Sequence, residues 1–164
     1  MDIFCKKKLE TFLQYDFVVP KSSNFSVSYT NSFFMVVPHH PFIKFCIDNL
    51  PLYVNSYKIL GKHIHIMNST GPLFLTKMIK KYGLNNIPNH YILTSNEFAG
   101  DCSVCNNGSC KGGRYFAHVE GKSWNSSDSE FYNFCLCSWK KILFFIVMII
   151  VCYYLFFIRK RTLL

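Results

Sequence analysis

Apolar and polar positions change period several times along the chain, and each change predicts an element. Residues 63–67 alternate, with Ile64 and Ile66 facing one way and His63, His65 and Met67 the other. That is the period of a short half-buried strand. Asn68-Ser69-Thr70-Gly71-Pro72 breaks the alternation. Leu75, Met78, Ile79 and Tyr82 then recur at i, i+3, i+4 and i+7, one face of a helix, with Lys77, Lys80 and Lys81 off it. Ser69 or Thr70 is the expected N-cap, and Pro72 suits the first helical turn, where a missing N–H costs nothing. Gly83 is the expected left-handed stop. The predicted unit is strand, tight turn, helix.

The same reading places the other elements. Residues 6–13 suggest a short helix with Leu9, Phe12 and Leu13 on one side, and 15–19 a strand stopped by Pro20. The near-continuous apolar run 32–37 predicts a strand buried on both faces and closed by Pro38. His39-His40-Pro41 turns into a helix whose face is Phe42, Phe45, Cys46 and Leu50 and which Pro51 ends. Residues 91–94 form another strand, and 96–114, rich in Gly, Asn, Asp and Cys, are irregular. Strands alternating with helices argue an α/β domain.

Residues 142–158 break every period: seventeen positions without a charge, between Lys140-Lys141 and Arg159-Lys160-Arg161. Trp139 stands at one end, and Tyr153 and Tyr154 lie nearer the other. As a helix this run spans about 25 Å, the short end of what crosses a bilayer. We read it as a transmembrane helix, with a slight bias from the following cations toward a cytosolic C-terminus. Residues 1–10 are too charged for a signal peptide.

Composition adjusts this picture. Half of the 164 residues are apolar, with seventeen Phe and ten Tyr, enough for one ordinary domain with a real core. The formal charge of +9 is scattered, and part of it flanks the apolar run. No nucleic-acid module accompanies it, so nucleic acid is not an expected partner.

Two stretches could carry chemistry. The turn at 69–72 opens a helix N-terminus, which suits an anionic or hydroxyl-rich ligand, although the spacing alone favours the plainer reading of an ordinary capped helix. In 115–128, His118 and Glu120 alternate on a short strand, Gly121 turns the chain, and Ser123 and Trp124 follow. An imidazole and a carboxylate on one face can ligate a divalent cation, and an indole beside them can stack on a base or sugar. The plainer reading is a surface hairpin with one buried Trp. Cys102-x-x-Cys105, Cys110, Cys135 and Cys137 suit either a disulfide-stapled loop in an oxidising lumen or a zinc site. Sequons occur at Asn24, Asn68, Asn107 and Asn125, and a sugar at Asn68 would crowd the turn.

Three blocks in this order carry a resemblance: residues 31–41 (NSFFMVVPHHP), Ser69-Thr70-Gly71-Pro72, and His118-x-x-Gly121-x-Ser123-Trp124 ahead of a membrane helix. Together they resemble the glycosyltransferases with a D-x-D sugar-binding region, and within them the fungal inositol-phosphorylceramide and outer-chain mannosyltransferases. The resemblance covers about the first 125 residues. Family members carry G-G-x-Y-x-D-x-D, and residues 2–10 match from its second Asp onward, as if the chain started inside that motif. Two departures stand out. Asn125 follows the Trp where the family often has His, and the Cys-rich segment after Glu97 is not in the pattern.

The resemblance implies a GT-A-like α/β domain over residues 1–138 and a transmembrane helix with a short basic tail over 139–164. It implies mannosyl transfer from GDP-mannose to a sphingolipid or glycan acceptor, with retention, in a Golgi or endoplasmic-reticulum membrane with the domain lumenal. A divalent cation, Mn²⁺, would neutralise the departing diphosphate. Carried over by position, Asp2, His118 and Glu120 would hold the metal, and Ser123 and Trp124 the donor. Asn31, His40, Thr70, Gly71 and Pro72 would line the sugar or acceptor pocket. The rival expectation is an inactive transferase fragment or a tail-anchored, non-enzymatic binding protein, since the apolar run ends six residues from the last.

Overall fold

The computed structural model describes residues 3–22, 28–100, 105, 112–118 and 127–162, with only the backbone for His118 and for 155–162. Strand β1 is Ile3–Cys5, β2 Phe17–Pro20, β3 Met35–Val36, β4 His90–Leu93 and β5 Phe116–His118. Helix α1 is Pro41–Tyr53, α2 Lys62–Ser69, α3 Pro72–Tyr82 and α4 Ser127–Thr162. The expected mixture of helix and strand is present.

β2 is the centre of a three-stranded sheet, and all four of its residues are buried. Successive side chains of a strand go to opposite faces. Phe17 and Val19 enter one core with Phe42, Phe74, Met78 and Ile79. Val18 enters the other with Phe12, Leu93, Phe98 and Phe116. β3 pairs antiparallel on one side and β4 parallel on the other. A parallel pair needs a crossover connection, and α1, α2 and α3 lie within it. β1 and β5 form a separate antiparallel ladder with Ile3 opposite His118.

Several expectations need correction. Residues 63–67 are not a strand: α2 is a helix, and Ile66 is exposed. Its interior side is polar. Asn68 donates to the Ile64 carbonyl and accepts from Lys77 Nζ, both at 2.8 Å. Its start is capped from far away, by Asp128 Oδ2 accepting the His63 N–H at 2.6 Å. A five-residue alternation cannot report either contact. The run 32–37 yields only the two-residue β3, and Phe34 before it is exposed; among the described residues β3 is an edge strand with nothing paired beyond it. Pro51 lies inside α1, which runs on to Tyr53; its missing N–H removes one bond of the last turn, and the helix ends two residues later. The N-terminal helix shrinks to a 3₁₀ turn at Glu10–Phe12.

α3 matches its prediction. Leu75, Met78 and Ile79 are buried, and Gly83 ends it with φ of 87°, a conformation that favours glycine. α4 has 36 residues and begins well before 142. Among the described residues it is the one helix long and apolar enough to cross a membrane.

Candidate functional site

The turn at 69–72 is a corner between two helices. Thr70 is the C-cap of α2 and Gly71 the N-cap of α3, with no side-chain cap from Ser69 or Thr70. The Gly71 N–H donates to the Ile66 carbonyl at 2.8 Å. A Cβ on Gly71 would lie 2.8 Å from Met67 Cα and 2.9 Å from the Ile66 oxygen. The glycine is therefore explained by helix packing. Pro72 occupies the first turn of α3, as expected. Asn31 Nδ2 donates to the Thr70 carbonyl at 3.0 Å, so two residues far apart in sequence but assigned to one pocket do meet. A glycan at Asn68 does not fit this corner, since both amide atoms of that buried side chain are engaged. The sequons at Asn24, Asn107 and Asn125 lie outside the described residues.

Two cavities are relevant to this corner. One, of about 570 Å³, lies between the end of α1 and α2 and is lined by Leu50, Pro51, Val54, His65, Ser69 and Thr70. The other, of about 520 Å³, lies beside the β1–β5 ladder, with Ile3, Phe4, Cys5, Ser32 and Phe116 among its walls. Thr70 belongs to the first, and Ser32, next to Asn31, to the second. In the first, His65 Nδ1 lies 2.8 Å from the Ser56 carbonyl oxygen. A carbonyl only accepts, so Nδ1 carries a proton, and in the neutral imidazole Nε2 is left as an acceptor.

His40 lines neither cavity. It is the N-cap of α1, with Nδ1 accepting the Phe42 N–H at 3.2 Å and the ring against Phe17. It is 3% exposed, and its Nε2 has no hydrogen-bond partner among the described residues. Burial holds its pKa below the usual histidine value, against the opposing charge of Asp16. The Cys46 thiol, half-buried against the core on α1, has its pKa pushed up by desolvation to about 12 and is inert as a nucleophile at neutral pH.

The metal and donor assignments fall mostly beyond these residues: Asp2, Glu120, Ser123 and Trp124 lie outside the description, as do Cys102 and Cys110. Among the described residues no three His, Cys, Asp or Glu cluster as for a metal. The ladder register does put the His118 backbone opposite Ile3, the residue that follows Asp2 in sequence. Of the cysteines, Cys105 is disulfide-bonded to Cys137 on α4, while Cys135 is free.

Sequence reasoning missed the group where α2 meets α4. Asp128 caps α2, Ser129 Oγ lies 2.9 Å from His63 Nδ1, and the Tyr132 and His63 rings are 5.7 Å apart. An Asp at the start of a helix reads as a cap for its own helix, so sequence alone does not reveal that it caps another.

Comparison with known proteins bears out the resemblance read from the residues. The chain is 28% identical over 167 residues to inositol phosphoceramide mannosyltransferase 1 of Schizosaccharomyces pombe, which covers 98% of this chain and 48% of that protein. It is 31% identical over 131 residues to inositol phosphoceramide mannosyltransferase 2 of the same yeast, covering 79% of this chain and 35% of that one. A mannosyl phosphorylinositol ceramide synthase of Saccharomyces cerevisiae is 30% identical over 132 residues, covering 79% and 31% respectively. The chain thus spans between about a third and a half of the length of these curated relatives. No family model matches it, and no solved structure does.

Proposed function

We propose that this relative of the fungal inositol phosphoceramide mannosyltransferases forms part of a membrane-bound enzyme that transfers mannose to a phosphosphingolipid. The observation that carries the reading is similarity over 79–98% of the chain to proteins named for that transfer. The long apolar α4 supports it, because a lipid acceptor stays in the membrane. GDP-mannose is the proposed donor and a GT-A-like fold the proposed frame, with which the parallel β2–β4 pair and its helical crossover are compatible.

The proposed metal set is Asp2, His118 and Glu120. Two carboxylates and an imidazole suit Mn²⁺, and the β1–β5 register supports bringing Asp2 and His118 to one end of a ladder. The cation would supply Lewis-acid stabilisation of the departing diphosphate. Trp124 would offer the donor a stacking face. The Cys105–Cys137 bridge supports a lumenal domain, because such bonds persist in oxidising compartments.

The test is transfer of radiolabelled mannose to extractable lipid by the complete gene product, in membranes of a host deprived of its own such transferase. Incorporation into an inositol-containing sphingolipid is expected. Asp2→Ala should reduce it by about 10–100-fold, since a ligand and its charge are lost. Absence of incorporation from any hexose nucleotide, with the protein folded and in the membrane, would refute the reading.

A further inference from the structure

The cavity between α1 and α2 has two unlike walls. α1 and its C-cap supply Leu50, Pro51 and Val54, while α2 and its C-cap supply His65, Ser69 and Thr70, and the surface left accessible is mostly apolar with a small polar part. At about 570 Å³ it falls in the range of small-molecule sites. A divided lining of this kind suits a divided molecule, one with a hydroxylated headgroup joined to hydrocarbon.

The surroundings extend the apolar wall outward. Leu52 is 71% exposed, Val54 55%, Leu60 58% and Ile59 99%. Lys58 and Lys62 stand among them, the charge that anionic headgroups attract. Burial inside the domain does not explain these side chains. α2 also ties the cavity to the membrane helix. His63 meets Ser129 and Tyr132 of α4, and His65, two residues on, projects about 200° further round α2. The cavity therefore lies on the far side of α2 from α4, about one helix width, or 10 Å, away. From that first turn, Phe131, Phe134, Leu136 and Trp139 are exposed along α4 as far as Lys140 and Lys141. Exposed apolar side chains thus stand both at the start of α4 and around the end of α1.

We infer that this cavity seats the acceptor lipid at the junction of its headgroup and its hydrocarbon. The headgroup lies against His65, Ser69 and Thr70, with His65 Nε2 accepting a hydroxyl, and the first methylenes lie against Leu50, Pro51 and Val54. Lipid enters along the rim of Leu52, Ile59 and Leu60. The Asn31–Thr70 bond ties this seat to the residue that precedes Ser32, a wall residue of the β1–β5 cavity, where the proposed donor would stand. The identity of the lipid, though not the amphiphilic character of the site, rests on the proposed function.

The experiment uses an inositol phosphoceramide analogue with a diazirine near the headgroup end of its acyl chain, crosslinked to the complete gene product in membranes. Label is expected on the peptide covering 50–70, competed by unlabelled inositol phosphoceramide but not by free inositol phosphate. A phosphatidylcholine diazirine probe should not label it. Val54→Asp, at an exposed position that the core does not need, should cut the labelling at least tenfold. It should also raise KM for the lipid with KM for the sugar nucleotide unchanged. Label confined to 131–162, label unaffected by Val54→Asp, or full competition by inositol phosphate alone would overturn the inference. Cavity labelling without mannose transfer would sink the proposed function and leave the lipid seat standing. Transfer with an unchanged lipid KM in V54D would do the reverse.

Discussion

The two ends of α1 put their apolar side chains to opposite uses. Phe42 at its start is fully buried, packed edge-on against Phe17 and Tyr82. Leu52 and Val54 at its end are exposed, together with Ile59 and Leu60 on the way to α2. Hydrophobic content is similar at the two ends, but only the first is covered by protein. An exposed cluster on a chain that also carries a long apolar helix is most simply covered by lipid. The comparison puts the packed core at the sheet end of α1, and the proposed lipid seat lies at the other.

The strongest way to break that comparison is Phe42→Ala. The substitution empties the space between β2, α1 and α3 and should cost about 3–5 kcal/mol. Ile59→Ala, at the other end, should stay within about 0.5 kcal/mol. Urea unfolding of the detergent-solubilised protein measures both. Equal costs would mean that the α1–α2 corner is covered by protein, and the division proposed here would fall.

Next in size is Gly71→Val. The added Cβ meets the backbone of Met67 and Ile66, which cannot rotate aside, so a loss of about 1–3 kcal/mol is expected. A neutral result would show that α2 and α3 are not held together at that corner.

The same corner shows what was legible in the sequence and what was not. α3 could be read because its burial is periodic and local: Leu75, Met78 and Ile79 face one core, and their spacing says so. β2 could be read for the same reason. α2 could not. Its stability comes from Asp128, sixty-five positions away, and from Asn68 and Lys77, which meet only once α3 is folded. Hydrophobic period carries no information on such contacts. At the candidate site, the shared blocks pointed to both Asn31 and Thr70, which prove to be hydrogen-bonded. The cavity beside them was hidden, because His65 had been placed on a strand.

Asp128→Ala tests the distant cap directly. It should cost about 1–2 kcal/mol, the usual worth of such a cap. The loss should appear as faster amide exchange in α2 with α3 unchanged. Asp128→Asn, which still accepts a hydrogen bond, should recover most of it. Exchange that rises equally in both helices would mean that they open as one unit and that the cap is not specific to α2.

The smallest expected effect is a pH dependence from His40, and it sharpens the comparison at the buried end of α1. Burial holds the folded-state pKa of His40 below the unfolded value of about 6.5, and the charge of Asp16 opposes that shift. Well above pH 6.5 the ring is neutral in both states and contributes no slope. As pH falls through 6.5 the unfolded chain takes up a proton before the folded one does, so the unfolded state gains and stability falls. The loss continues until the pH reaches the depressed folded pKa and then levels off. His40→Asn keeps a side-chain acceptor for the Phe42 N–H, so α1 stays capped, but it removes the titrating group. Thermal melts between pH 7.5 and 5.5 should therefore show a shallower decline for the variant than for the parent. If the two decline in parallel, the acid sensitivity lies elsewhere and the unpartnered Nε2 of His40 is structurally silent.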